Sequence, residues 1–437
     1  MKSWRDCKLG DLLQIKHGFA FLGEHFASAG THVVLTPGNF LEEGGFKEKS
    51  DKAKWYNGPI PDDYVLNEGD LIVAMTEQAE GLLGSSALIP RSGVYLHNQR
   101  LGLVQIRDRK QTDQHFIYYL FNSRPIRQQI RASASGTKIR HTAPSRIADV
   151  KVSVPPLPVQ RRIAGILSAY DELMENSQRH IRILEAMARA LYREWFVHFR
   201  FPGHEKAQMV NLPSRPGEAS AKTDGDIPQG WQVKRLDNVC RSVQDGDWIE
   251  TKDQGGKDYR LLQISNVGVG EFIETANYRF VTQATFERLH CTEIKPGDIL
   301  VARMPTPIGR AWLATPMPWR MITAVDVAII RAQPGVLHPL FLAQAWNEPF
   351  NLQRIAAQAS GTTRLRITRR ELAALEFVVP QIEIQFRFAK FVQPQMEMIE
   401  ALRLRIQNLR RTRDLLLPRL LSGQIELTAA TTKERQT

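Results

Sequence analysis

The longest unbroken pattern in the chain is a heptad one. Ile163, Leu167, Tyr170, Met174, Ser177, Ile181, Leu184, Ala188 and Leu191 follow one another at alternating steps of four and three. The same register returns 225 residues later as Phe388, Val392, Gln395, Ile399, Leu402, Ile406, Leu409, Arg413 and Leu416. Spacing of this kind predicts a coiled-coil seam, narrower than the apolar face of a helix lying on a compact domain. A helix of about 35–40 residues measures roughly 55–60 Å. Two such helices separated by a whole module are expected to pair antiparallel; packing of each helix on its own module is the alternative. Pro394 is expected to kink the first turns of the second helix.

The stretches before each helix read as mixed and β-rich, and they too are alike. Trp4 and Leu9 open the first, Trp231 and Leu236 the second. Asn67-Glu68-Gly69-Asp70 leads into the apolar run Leu71-Ile72-Val73-Ala74, and Lys295-Pro296-Gly297-Asp298 leads into Ile299-Leu300-Val301-Ala302. Each is a turn followed by a run of strand length. Helical segments are predicted at 116–122 and 340–347, ended by Pro125 and Pro349. Next come Ala134-Ser135-Gly136-Thr137 and Ala359-Ser360-Gly361-Thr362, then short apolar strands at 150–154 and 375–379 that stop at Pro155 and Pro380.

These repeats predict an α+β chain with pseudo-two-fold symmetry. Two β-rich modules occupy 1–153 and 227–378, and long helices occupy 154–200 and 379–424. A Pro- and Gly-rich linker spans 201–226, and a tail of small and polar residues spans 425–437.

The bulk numbers then narrow the function. At 437 residues two domains are the natural prior, and 43% hydrophobic with 24% charged residues excludes wholesale disorder. A net charge of +12 favours an acidic partner. Cys7, Cys240 and Cys291 are scattered, without the spacing of a zinc site or a disulfide framework. The sequence has no apolar run of membrane-spanning length, and Met1-Lys2-Ser3-Trp4-Arg5-Asp6 is not a secretory leader, so a cytoplasmic protein is expected.

Catalytic signatures are weak. Asn347-Glu348-Pro349-Phe350 resembles an amino-methyltransferase motif only superficially, because Glu348 stands where a proline is expected. Gly268-Val269-Gly270 lacks a third glycine, Gly255-Gly256-Lys257 lacks the spacing of a phosphate loop, and no HExxH is present. A chain that neither methylates, hydrolyses ATP nor cuts DNA is expected, with no cofactor or metal of its own.

Binding chemistry is better represented. Thr137, Lys138 and Arg140 follow the first Ser-Gly, and Thr362, Thr363, Arg364 and Arg366 follow the second. Hydroxyls and cations beside a flexible glycine suit DNA phosphates and guanine edges, although a solvated turn satisfies the same pattern. Gln78, Gln99, Arg100 and Arg303 flank predicted strands, where amides suit adenine and arginine suits guanine. Lys47, Lys49, Lys52 and Lys54 form a basic segment able to follow a phosphate backbone or simply a solvated loop.

Over nearly its whole length the chain resembles the specificity subunits of type I restriction–modification enzymes. The tandem repeat, the paired Gly-Asp strands, the paired Ser-Gly-Thr elements and the paired helices carry the resemblance. So do two phrases at helix ends, residues 190–203 (ALYREWFVHFRFPG) and 415–425 (LLLPRLLSGQI). The resemblance implies two target recognition domains, each reading half of a split, asymmetric double-stranded DNA site, with the helices as spacer. It implies partners as well: two copies of a DNA adenine methyltransferase subunit, and restriction/translocase subunits. S-adenosylmethionine, ATP and Mg would then belong to those partners. It also favours a subunit contact for the aromatic cluster Trp195, Phe196, Phe199 and Phe201, while Arg413, by its charge at a seam position, is expected to mark where the seam opens to a partner. A protein-only coiled-coil adaptor and a free-standing DNA-modifying enzyme are the rival readings.

Overall fold

The computed structural model describes residues 4–49, 52–77, 80–136, 139–211, 226–275, 277–361 and 364–427. The chain divides into two compact units, Met1–Ser177 with Leu404–Thr437, and Gln178–Arg403. The division falls inside both long helices, so each unit contains one β-rich module and a segment of each helix.

In the first unit the central sheet has four antiparallel strands in the order Leu13–His17, Leu101–Ile106, Leu71–Ala74, Ser86–Leu88. A smaller mixed sheet, Phe26–Ala27, Trp55–Tyr56, His32–Val34 and Tyr95–Leu96, adjoins it. Arg5–Lys8 pairs with Lys151–Val154, which closes the module just before the long helix. The second unit repeats the plan. Its central sheet runs Cys240–Asp245, Val327–Ala332, Ile299–Ala302, Ala311–Leu313, and Gln232–Arg235 pairs with Glu376–Val379.

The apolar runs after each Gly-Asp are strands with both faces buried. Leu71 and Val73 face a core shared with the helices, while Ile72 and Ala74 face a second core. Ile299 and Val301, against Leu300 and Ala302, divide in the same way. Side chains alternate across a strand, so burial on both faces removes the polar half of the usual alternation. The turn before each run closes identically. Gly69 and Gly297 adopt φ of +81° and +94°, and the carboxylates of Asp70 and Asp298 accept the N–H of Asn67 and Lys295 at 2.8 and 2.9 Å.

Helices Gln114–Phe121 and Pro339–Asn347 cover the sheets. Pro125 and Pro349 end them and also sit in the first turn of the next helices, Arg124–Ala132 and Pro349–Ala357, where a missing N–H costs nothing.

The long helices span Leu157–Tyr192, with a π-turn at Arg193–Val197, and Ile382–Leu421. The second continues through Pro394. That residue lies on the exposed side of the helix. All eighteen heptad positions are buried or half-buried. Within the first unit Ile163, Ala164 and Leu167 share a core with Leu420. Within the second, Ala188 and Tyr192 share one with Phe388, Ala389 and Val392. In each unit the two helix segments therefore run antiparallel.

One buried side chain per unit ties helix to module. Gln160 accepts the Asp113 N–H at 2.9 Å and donates to the carbonyls of Gln111 and Pro155 at 3.0 and 2.8 Å. Gln385 accepts the His338 N–H at 2.8 Å and donates to Val336 and Pro380 at 3.1 and 2.8 Å.

Three expectations are corrected. Trp195 and Phe196 are buried and Phe199 is half-buried. Their rings pack on Phe388 at 5.9 Å, Phe341 at 4.8 Å and Trp231 at 5.4 Å, so they form the second unit's own core instead of a partner-facing surface. Arg413 is occupied inside the first unit, 2.6 Å from Asp171 and 2.8 Å from Asp414. The start of the linker is structured: Phe201 is buried against Trp231, and Met209–Asn211 pairs with Asp226–Pro228. Residues 212–225, and the tail from 428, lie outside the described residues. Among the described residues no helix is long and apolar enough to cross a membrane.

Candidate nucleic-acid interface

At each repeated Ser-Gly the backbone closes on itself. Ser135 and His141 exchange backbone hydrogen bonds at 2.9 and 2.8 Å, and Ser360 and Arg366 do the same at 3.0 and 2.9 Å. Between them Gly136 and Gly361 take φ of +102° and +131°. A Cβ on either would run into the carbonyl oxygen of Ile139 or Arg364. Only glycine closes this loop without strain, which accounts for its recurrence.

Backbone hydrogen bonds gather further loops at the same end of each module. In the first unit Thr142 donates to Met75 at 2.9 Å, Met75 to Arg100 at 3.0 Å, Glu77 to Arg140 at 2.9 Å, and Gln99 to Phe19 at 2.9 Å. His97 braces this cluster from beneath. Its Nε2 donates to the Leu101 carbonyl at 3.0 Å, and burial pushes its imidazole down to about 4, so it is neutral at ordinary pH. In the second unit Ile367 donates to Arg303 at 3.2 Å, Arg303 to Asp326 at 3.0 Å, and Asp247 to Thr323 at 2.8 Å.

Built alike, the two clusters differ in their side chains. Met75, Arg100 and His141 in the first unit correspond to Arg303, Asp326 and Arg366 in the second, because equivalent backbone hydrogen bonds join them. Thr76 and His141 share a hydrogen bond at 3.1 Å. Glu77, nearly buried, lies 3.8 Å from the Arg140 guanidinium. In the second unit Arg366 meets Asp326 at 2.9 Å. Such carboxylates hold an arginine in one orientation and also compete with DNA for it.

Of the candidates read from sequence, Gln99, Arg100 and Arg364 are exposed, Arg140 and Arg366 are half-exposed, and all five belong to these clusters. Arg303 does not reach the surface. It is 3% exposed, meets Asp245 at 2.9 Å and donates to the Val325 carbonyl at 2.6 Å. Burial lowers its guanidinium from the usual range and Asp245 opposes that shift. An arginine so occupied braces the site from within, which corrects its assignment to a base edge. Gln78, Thr137, Lys138, Thr362 and Thr363 lie outside the described residues. Near the smaller sheet of the first unit, Lys49 is held below the usual lysine range by burial and by Lys47, Lys54 and Lys52, a concentration of charge that an anion would relieve.

Sequence reasoning missed Gln160 and Gln385, although they recur at the helix offset, five residues after Pro155 and Pro380. It also missed Asp245, Asp326 and His141, whose importance arises only when distant loops meet.

Residues 1–186 match the family described as the type I restriction modification DNA specificity domain. The chain is 23% identical over 315 residues to the type I restriction enzyme MjaIX specificity subunit of Methanocaldococcus jannaschii, covering 71% of this chain and 69% of that protein. Identity to the EcoBI specificity subunit of Escherichia coli is also 23%, over 420 residues, with 93% and 82% covered. The crystal structure of a type I restriction–modification S subunit from M. genitalium shares the fold, with a TM-score of 0.60 at 14% identity over 97% of each chain. Residues 1–186 thus match a type I restriction modification DNA specificity domain, and over most of its length the chain is similar to type I specificity subunits and shares their fold.

Proposed function

We propose that the chain reads a bipartite, asymmetric double-stranded DNA site, one half per unit, and directs partner methyltransferase and endonuclease subunits to it. The observation that carries this reading is the loop cluster built twice on one scaffold with different side chains, Met75, Arg100 and His141 against Arg303, Asp326 and Arg366. Equal scaffolds present two loop sets in the same way, while unlike side chains make the two half-sequences differ. Arg140, Gln99 and Arg100 are the contacts proposed for one half-site, and Arg364 and Arg366 for the other. Thr137, Lys138, Gln78, Thr362 and Thr363 join them on sequence grounds.

The partners proposed are two DNA adenine methyltransferase subunits and restriction/translocase subunits. With Trp195 and Phe196 buried, the exposed apolar residues Ile183, Met187, Phe391 and Met398 on the helix segments of the second unit are the better candidates for subunit contact.

Mapping methylated adenines in a host with and without this gene, supplied with its modification subunit, tests the reading. A split motif of fixed gap that disappears on deletion is expected. Persistence of every methylated motif would overturn it.

A further inference from the structure

Trp248 is 71% exposed, more than any other large apolar side chain among the described residues. Its loop is nevertheless firmly held. Gly246 donates to the Val327 carbonyl at 3.0 Å and Asp247 to that of Thr323 at 2.8 Å. Both carboxylate oxygens of Asp247 accept the Thr292 N–H at 3.1 Å, and a Cβ on Gly246 would collide with the carbonyls of Thr323 and Ala324. Further along the loop the Glu250 carboxylate pairs with Lys252 at 2.9 Å. A large ring held in water by a braced loop is not a side chain that has merely failed to find the core.

Its neighbourhood gives it a partner. Asp245, three residues earlier, anchors Arg303, and the strand end that receives Asp247 leads to Asp326, which holds Arg366. Beside Arg366 on the glycine loop stands Leu365, 52% exposed. The first unit repeats the arrangement: Leu22, on the loop anchored through Phe19, is 58% exposed, and Ile139, on its glycine loop, is 52% exposed. Both units therefore display two bare apolar side chains on the same two loops, among cations suited to phosphate.

We propose that Trp248, with Leu365, makes apolar contact with base edges of the half-site read by the second unit, against thymine 5-methyl groups in the major groove. This rests on the DNA-reading function proposed above. Phosphates reward the arginines, and the thymine methyl group offers apolar surface in the major groove that rewards an indole and a leucine.

The test uses the chain assembled with its modification subunit and duplexes carrying the methylated motif it leaves in cells. Trp248→Ala is expected to weaken binding to the full site about tenfold, the scale of one lost base contact in a duplex site. Trp248→Phe should recover most of that loss, and Leu365→Ala should weaken the same half-site. On a duplex with that half scrambled and the other intact, the wild-type chain and Trp248→Ala should bind alike. Unchanged affinity of Trp248→Ala for the full site would overturn the proposal. So would an equal loss on the scrambled duplex, or a failure to assemble with the modification subunit at unchanged melting temperature, which would make Trp248 a protein contact. A wild-type chain that leaves no split motif would instead remove the underlying function.

Discussion

Arg413 meets Asp171 at 2.6 Å in the helix seam of the first unit, where apolar side chains are the rule. The other Asp171 oxygen accepts the Tyr119 hydroxyl at 2.7 Å, so module and both helix segments share one carboxylate. The corresponding places in the second unit hold Ala188, Met396 and Gln344. A charged pair in one half of a pseudo-symmetric seam penalises pairing of either helix with a copy of itself, since each partner would then face an apolar side chain.

Arg413→Leu alone should destabilise the chain by roughly 2 kcal/mol, below the usual cost of breaking a fully buried pair because both groups keep some solvent. The double change Arg413→Leu with Asp171→Leu should recover much of that loss. Denaturant unfolding checks both, and equal stability of the single and double variants would remove the pair's role.

Gln160→Leu and Gln385→Leu each strand three backbone groups that the amide satisfies. At roughly 1 kcal/mol or more per stranded group, each should lose about 3 kcal/mol and melt several degrees earlier. The amide requires both its donors, so Gln→Glu should fall between wild type and Gln→Leu. A thermal melt indistinguishable from wild type would mean that water replaces the side chain.

Gly361→Ala should cost about 1–3 kcal/mol of local stability and weaken one half-site, because the loop must open to relieve the Arg364 carbonyl. Arg364→Ala should weaken the same half-site and leave the fold intact. Competition between duplexes with either half scrambled distinguishes the two variants, and an unchanged half-site preference for Arg364→Ala would exclude it as a DNA contact.

Asp247 supplies a pH signature. Burial pushes its carboxyl up to about 6. A raised carboxyl pKa means that the folded form holds a proton the unfolded form has lost between about pH 4 and pH 6. Its ionisation therefore opposes folding; the penalty is complete above about pH 6 and fades as pH falls towards 4. Asp247→Asn should be more stable than wild type at pH 8, with a difference that shrinks on acidification. A constant difference across that range would contradict this.

The scaffold is legible in the sequence where one local device does the work. Gly69-Asp70 and Gly297-Asp298 each contain the positive φ and the carboxylate that close the turn, so the pair announces itself. The heptads announce the seam because every third or fourth residue falls on it. The reading loops are less legible. Arg303 and Arg364 look alike as residues, yet one is buried against Asp245, 58 positions away, and the other is exposed. Trp195 and Phe196 mislead for a related reason: an aromatic cluster has the same composition in a core and at an interface, and only the partners Phe341 and Phe388 decide.

The first unit is completed by a segment synthesised after the whole of Gln178–Arg403. Its core includes Leu420 and is lined by Leu416, Leu417 and Ile425, while Gln178–Arg403 is one uninterrupted stretch. At ordinary elongation rates the first module waits on the order of ten to forty seconds for its missing helix segment. During that interval Ile163 and Leu167 lack the cover of Leu420, and the second unit has all its residues before the first is whole. Nascent chains are therefore most exposed to aggregation and proteolysis at the first module, and a chain stopped near residue 403 would leave that module permanently unfinished.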